Sequence, residues 1–407
     1  MHFQVKKPEL LAPAGNLEKL KVAIHYGADA VYLSGKLYGL RSFAGNFTIS
    51  QMEEGIELAH KKGVKVYVTV NIFPRNDDME KLTDYLIDLE QMGVDAIIVS
   101  DPGIIVIAKE LVTHIPLHLS TQANTTNWRS VEFWKDQGIS RANLARELSF
   151  SEIEYIRKNV DIEIETFVHG AMCISYSGRC LLSNYLTHRD SNRGECSQPC
   201  RWKYMLMEES RPGIHLPIFE DDRGSYILSS EDLCLIEYMP ELIDAGVDSL
   251  KIEGRMKGIN YVGNVVRVYR KAIDEYLDNP DRYEFRKEWL EELKKVSHRN
   301  YTTGFFCEKS TRGPQNYSSS SYVQTHDLVG VVREVSGGNE IKIEVRNQIR
   351  LGDKVEFIGK SGEINHLFLE KMINEDGETI EIAQPNQIVI LRVSFPTSVT
   401  DLIRKQK

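Results

Sequence analysis

The chain has 407 residues, room for two or three domains, and an ordinary globular composition with 42% hydrophobic and 27% charged residues. Its 50 basic and 59 acidic residues leave a formal charge of −9, so a nucleic-acid partner needs a local basic patch in a globally repulsive field. No apolar run reaches the length of a membrane span, and the best stretch, AIIVSDPGIIVIA, is broken by Asp101 and Pro102. The apolar part of MHFQVKKPELLAPAG is too short for a signal-peptide core. A cytoplasmic protein with reduced thiols and no membrane partner is therefore expected.

Over the first 280 residues, short β-branched runs alternate with amphipathic helices. ELLAPAG (9–15) is the first strand, and Asn16 is placed to cap a helix whose Leu17, Leu20 and Ile24 share a face. AVYLSG (30–35) follows, then a helix near 50–62 stopping at Gly63, then KVYVTVN (65–71). A single helix at about 77–92, strand AIIVS (96–100) and a helix with Pro102 in its first turn come next. LHLST (117–121), a helix near 127–137, RANLARE (141–147), a helix capped by Ser149 or Ser151, and IEIETFVHG (162–170) continue the alternation. SLKIEGR (249–255) is the eighth strand, and a long helix runs from it to Asn279–Pro280. Apolar strands separated by helices imply a parallel sheet covered on both faces. Eight such units suit an α/β fold, a closed (β/α)8 TIM-like barrel over residues 1–280. An open doubly wound sheet is the alternative, although no GxGxxG follows the first strand.

In a barrel, chemistry collects at the C-terminal strand ends. Asn71, Asp101, His118, Gln122, Asn124, Arg146, Glu147, Glu165, His169, Glu253 and Arg255 all fall there. Residues 281–322 read as a helical and loop linker, with TRGPQNYSSSSY (311–322) exposed. From Val323, six alternating runs (VGVVREV, EIKIEV, DKVEFIG, HLFLEKMI, TIEIA and IVILRV) predict a small antiparallel β-barrel or sandwich over 323–407. Such a domain can bind nucleic acid, dock a partner, or simply stabilise its neighbour.

Between the seventh and eighth strands lies a cysteine-rich, metal-binding insertion at 170–235. It holds Cys173, Cys180, Cys196 and Cys200, with Cys234 further on in SSEDLCLIEYMPELIDAG, a stretch that reads as one helix. Cys307 stands alone. In a reducing compartment, clustered cysteines favour a metal over disulfides. The spacings Cys173-x6-Cys180 and Cys196-x3-Cys200 match neither the CxxC zinc knuckle nor common ferredoxins, so zinc and iron–sulfur stand level on spacing. Cys234 shares a helical apolar face with Leu233, Ile236 and Met239 and could simply pack. Arg179 and Arg201 could activate a catalytic thiol, which would leave four cysteines unexplained. His169 is expected in the pocket. From Cys173 to Tyr204, five basic residues face two acidic ones, with Tyr176, Tyr185, Trp202 and Tyr204 interleaved. That pattern suits an RNA loop, and equally the neutralisation of thiolates.

ETFVHGAMCISYSGRCLLS resembles the signature of the collagenase-like family catalogued as peptidase U32. LLAPAGNLEKLKVAIHYGADAVYLSG, NRGECSQPCRWKY and AGVDSLKIEGRMK resemble its other blocks, and together they cover residues 8 to about 310. The family name implies a metal-dependent peptidase, yet no HExxH or GxSxG is present. The resemblance to better-understood members implies instead an RNA hydroxylation enzyme with a [4Fe-4S] cluster. Similarity to the transfer-RNA branch implies 5-hydroxyuridine at the wobble position, with prephenate as the source of the hydroxyl. By the same resemblance Cys173 and Cys180 are cluster ligands, Cys196 is the third, and the fourth is Cys234 or Cys200, with Cys234 slightly preferred. Glu147, Glu165, His169 and Arg255 are the residues expected to hold the donor or shuttle protons, and Arg146 or Arg255 to bind its negative charge. A non-enzymatic RNA-binding partner is a third reading. A paralogous subunit or a homo-oligomer is a further expected partner.

Overall fold

Runs rich in β-branched residues become the eight staves of one parallel ring. They are β1 (Glu9–Pro13), β2 (Ala30–Leu33), β3 (Lys65–Val70), β4 (Ala96–Val99), β5 (Leu117–Leu119), β6 (Ile139–Asn143), β7 (Glu163–Ala171) and, after three further strands, β11 (Ser249–Ile252). Each pairs with the next, and β11 closes the ring on both sides, through Glu9↔Ser249 to β1 and Ser249↔Glu165 to β7. The sheet is a closed TIM-like barrel and not an open doubly wound one. The computed structural model describes residues 6–40, 45–173, 175–199, 219–221, 224–226, 231–307, 323–337, 339–360 and 362–407. Cys200 and the basic–aromatic run 201–204 lie outside the described residues.

The intervening helices start where side chains can satisfy their free N–H groups. Asn16 Oδ1 accepts from Lys19 N (2.9 Å) ahead of α1 (Leu17–His25), and Thr48 with Gln51 forms a capping box on α2 (Ile49–His60). The single helix expected at 77–92 is two pieces, α3 (Asn76–Met79) and α4 (Leu82–Gln91). The Asp78 carbonyl, which would continue the ladder, accepts from Tyr38 Oη (2.9 Å). Asp101 accepts from Gly103 and Ile104 N at the start of α5 (Pro102–Leu111), so it caps and does not serve the mouth. Asn127 and Ser149 cap α6 (Trp128–Asp136) and α7 (Phe150–Asn159).

Past β7 the chain leaves the ring through a six-residue helix, α8 (Leu182–Thr187), and a hairpin of β8 (Phe219–Asp221) and β9 (Gly224–Tyr226). It returns as β10 (Asp232–Cys234), which pairs antiparallel with β7 through Asp232↔Ala171 and Cys234↔His169. The helix expected over SSEDLCLIEYMPELIDAG is therefore corrected: its start is a strand, and only α9 (Met239–Asp244) is α-helical. β12 (Tyr301–Thr302) extends this edge, and the buried Arg299 guanidinium holds Asp232 Oδ1 at 2.7 and 3.0 Å.

The described chain divides into two compact units, the barrel with 299–307 in one and residues 21–28, 257–298 and the described part of 323–407 in the other. Of the expected linker over 281–322, residues 281–298 fall in the second unit and 299–307 in the first, while 308–322, with the run TRGPQNYSSSSY, lie outside the described residues. In the second unit, α10 (Ile259–Asp278) and α11 (Lys287–Lys294) accompany an eight-stranded antiparallel sheet with a core that includes Val332, Ile343, Phe357 and Leu391. Among the described residues that sheet does not close on itself. Arg404, fully buried, bridges Glu292 and Glu356 at 2.7 Å each. No helix among the described residues is long and apolar enough to cross a membrane.

Candidate active site at the barrel mouth

A cavity of about 150 Å³ opens at the C-terminal ends of the barrel strands. Its walls come from β2, β3, β4, β6, β7 and β11, from the turn after β5 and from the cysteine-rich insertion. Cys173, Cys180 and Cys196 all line it, as do Arg146, Lys251 and Arg255. Three thiols and three cations therefore share one space.

The cations are held in different ways. Arg255 is 4% exposed and donates to Thr69 Oγ1 (3.0 Å), Asn46 Oδ1 (3.2 Å) and the Leu40 carbonyl. Arg146 donates to the Ala171 carbonyl at 2.8 Å and lies 4.7 Å over the Phe167 ring. The Lys251 ammonium meets Glu165 Oε1 at 2.7 Å and sits 4.7 Å from the Tyr32 ring centroid. Under Lys251, Arg141 joins Glu165 (3.6 Å), Glu9 (2.6 Å) and Glu163 (2.8 Å) in a chain of charges through the barrel interior. His118 is in that interior too, where burial first and then Arg141 and Lys251 hold it neutral, far below the usual imidazole range. The ring centroid of Tyr67 is 4.7 Å away.

The insertion is tied to the strand-end loops by polar contacts. Ser177, buried between Cys173 and Cys180 at φ 39°, donates its N–H to Glu147 Oε1 (2.6 Å) and its hydroxyl to Oε2. Arg179 Nε donates to the Gln122 carbonyl (2.9 Å), and Asn192 both accepts from Cys180 N and donates to its carbonyl. Arg193 grips Asp78 with both terminal nitrogens. Gly170, at φ 110°, lets β7 pass the end of β11: a Cβ there would lie 2.4 Å from the Glu253 carbonyl oxygen.

Of the residues singled out by sequence, Arg255 lines the cavity, while Glu165 is one layer deeper, partnered by Lys251. Glu147 is an anchor for the thiol loop, its carboxylate turned to Ser177. His169 is 1% exposed, packs 5.3 Å from the Tyr301 ring, and does not line the cavity. Cys234 is buried on β10 opposite His169 and also does not line it, whereas Pro199, next to Cys200 in sequence, does. The cysteine chemistry fits a thiolate-bound metal: Cys173, Cys180, Cys196 and Cys234 are all free of disulfides. As they stand, the described residues form no group of three or more ligands already close enough to hold a metal ion.

The sequence profile of Peptidase family U32 matches residues 15–316, and that of the Peptidase family U32 C-terminal domain matches residues 324–404. The chain belongs to peptidase family U32. The U32 chain is 47% identical to tRNA hydroxylation protein P1 of Bacillus subtilis, over 99% of this chain and 96% of that one. It is 40% identical to tRNA hydroxylation protein P of Escherichia coli, over 93% and 91% respectively. It is also 32% identical to the 23S rRNA 5-hydroxycytidine C2501 synthase of E. coli, covering 87% of this chain and 55% of that protein.

Two residues of this U32 site escape a reading by motif. Lys251 lies inside SLKIEGR, and Asn143 lies inside RANLARE. The available signal is the period of two: a charged or amide side chain on the inward positions of a barrel strand has nowhere to go but the interior.

Proposed function

We propose that this chain is an RNA hydroxylation enzyme that forms 5-hydroxyuridine at the wobble position of transfer RNA, with prephenate as hydroxyl donor and an iron–sulfur cluster at the barrel mouth. The observation that carries it is the convergence of Cys173, Cys180 and Cys196 with Arg146, Lys251 and Arg255 on one cavity. Near-full-length identity to two chains named for tRNA hydroxylation supports the substrate, and the rRNA 5-hydroxycytidine synthase supports a pyrimidine C5 as the reacting atom.

The reaction balances as a group transfer. The C5–H bond of uridine and the C–O bond of the donor break, a C5–O bond forms, and the donor carbon takes the electron pair and the proton. Cys173, Cys180 and Cys196 would hold the cluster with either Cys200 or Cys234. When bound it supplies electron transfer or Lewis acidity beside the cavity. Arg146, Lys251 and Arg255 bind and orient a dicarboxylate. Arg255 is pre-set by three hydrogen bonds, so little ordering entropy remains to be lost on binding. Glu165 holds the Lys251 ammonium in place through an ion pair of 2.7 Å.

The test is expression of the chain in a strain without wobble hydroxylation, with nucleoside mass spectrometry of bulk tRNA, beside metal and sulfide analysis of anaerobically purified protein. The expected outcome is restored 5-hydroxyuridine and about four irons and four sulfides per chain. No restored nucleoside refutes the function. Zinc without sulfide refutes the cluster and favours the metal-peptidase reading. C200A and C234A identify the fourth ligand by which of them loses iron.

A further inference from the structure

One wall of the mouth cavity carries polar atoms with no hydrogen-bond partner. Gln122 is 3% exposed and Asn143 2% exposed, and both line the cavity. Gln122 Nε2 and Asn143 Oδ1 are buried and unpartnered. A buried orphan donor or acceptor costs far more than a satisfied one and is uncommon in folded proteins. Two of them on one cavity wall describe the complement of a ligand.

The polarity of Gln122 is set by a relay. Leu40 N donates to Asn71 Oδ1 (3.4 Å), Asn71 Nδ2 donates to Ser120 Oγ (3.2 Å), and Ser120 Oγ donates to Gln122 Oε1 (3.5 Å). That chain spends the carbonyl end of Gln122 and leaves its buried NH₂ without a partner at the cavity wall. Asn143 is on the adjacent strand: Leu119 of β5 pairs with Ala142 of β6, so Asn143 is the next step up. The wall thus presents a donor from one strand end and an acceptor from its neighbour. Tyr32 and Phe167 contribute aromatic rings to the same cavity.

We infer that Gln122 and Asn143 read the edge of a uracil base turned out of an RNA loop, Asn143 Oδ1 accepting from N3–H and Gln122 Nε2 donating to a neighbouring carbonyl. This rests on the proposed action on RNA and adds the residues that select the base. Uracil offers a donor at N3 beside carbonyl acceptors. Cytosine has an acceptor at N3, which would face Asn143 Oδ1 with two lone pairs opposed. A base read this way is held flat against the aromatic wall, as unstacked bases are in single-strand recognition. The cations Arg146, Lys251 and Arg255 remain for the anionic donor or the RNA backbone.

The experiment uses the full chain and short anticodon stem-loops that differ only at the first anticodon position, carrying uridine, cytidine or 3-methyluridine. Affinity is measured by fluorescence anisotropy at fixed salt. The uridine loop is expected to bind roughly tenfold tighter than the other two. Q122A and N143A are expected to lower its affinity to that of the cytidine loop. Equal affinity of the unaltered protein for the three loops overturns the inference without any variant. So does a uridine preference that survives both substitutions. Absence of RNA binding overturns both this inference and the hydroxylation reading. A uridine preference in a protein that restores no 5-hydroxyuridine in cells refutes the hydroxylation reading alone.

Discussion

Removing the Glu147 carboxylate tests whether the thiol loop is pre-organised from the barrel. Glu147 accepts both the N–H and the hydroxyl of Ser177, which sits between Cys173 and Cys180 in a left-handed conformation. Hydrogen bonds to a charged acceptor contribute roughly 1.5–3 kcal/mol each, and the loop is only partly buried, so the lower end applies. E147A therefore loosens the loop by about 3 kcal/mol, close to 100-fold in an equilibrium constant. E147Q retains one acceptor oxygen and loses about half of that. The assay is chelator competition under anaerobic conditions, read as iron per chain, with hydrogen exchange of residues 175–180 as a readout that needs no metal. The expected order of iron retention is wild type, E147Q, E147A, with exchange rising in the reverse order. The global melting temperature should move little, because no barrel strand loses a partner. E147A with unchanged exchange in this loop would refute the reasoning.

Other outcomes follow from the charges inside the two units. Asp232 and Arg299 are 2% and 1% exposed and bonded at 2.7 Å, so D232A removes the carboxylate that a buried guanidinium holds and should destabilise the barrel unit by about 3–5 kcal/mol in urea unfolding. In the second unit, burial opposes ionisation of Glu292, but Arg404 and Arg267 outweigh it and hold its carboxyl at about 2. A carboxyl depressed in the folded state contributes stability above the ordinary carboxylate range, here lost as pH falls from about 4.5 towards 2. E292Q should lower stability at neutral pH by several kcal/mol and flatten that acid limb, as seen in unfolding curves across pH. K251M removes one cation from the cavity while touching no thiol, so hydroxylated product should fall at least about tenfold with iron content unchanged. Equal loss of both would mean that Lys251 only supports the fold.

The barrel was legible because its strands are short, mostly apolar runs and five of the intervening helices open with a capping side chain. Asn16, Thr48, Asp101, Asn127 and Ser149 mark those openings in the structure. What failed was non-local. Asp232–Cys234 is too short to show a period of two, and Leu233, Ile236 and Met239 happen to repeat every three residues, so a helix was the better local fit. Its pairings with β7, about sixty residues earlier, and with β12, about seventy residues later, make it a strand. At the break between α3 and α4 the Asp78 carbonyl accepts from the hydroxyl of Tyr38, forty residues earlier, a partner that no local pattern announces. In the site, motif reading reached the thiols and Arg255. It missed Lys251 and Asn143 because their importance comes from facing inward on a closed ring, which no short motif encodes.

The pairing of β10 with β7 also has a bearing on how this fold can change. The two ends of the excursion between them are stitched together by Asp232↔Ala171, Leu233↔Gly170 and Cys234↔His169. Closing a long loop costs entropy that grows only slowly with length, and here the closure is made by the ladder itself. The chain-closure part of the cost of adding or removing residues in the excursion is therefore only a few tenths of a kcal/mol each time, provided the contacts of Ser177, Arg179 and Arg193 with the barrel are kept. The barrel becomes a fixed socket and the cysteine-bearing segment an exchangeable cartridge. Grafting the corresponding segment of another family member between Ala171 and Asp232 should leave the melting of the barrel unit intact while altering which RNA the protein accepts.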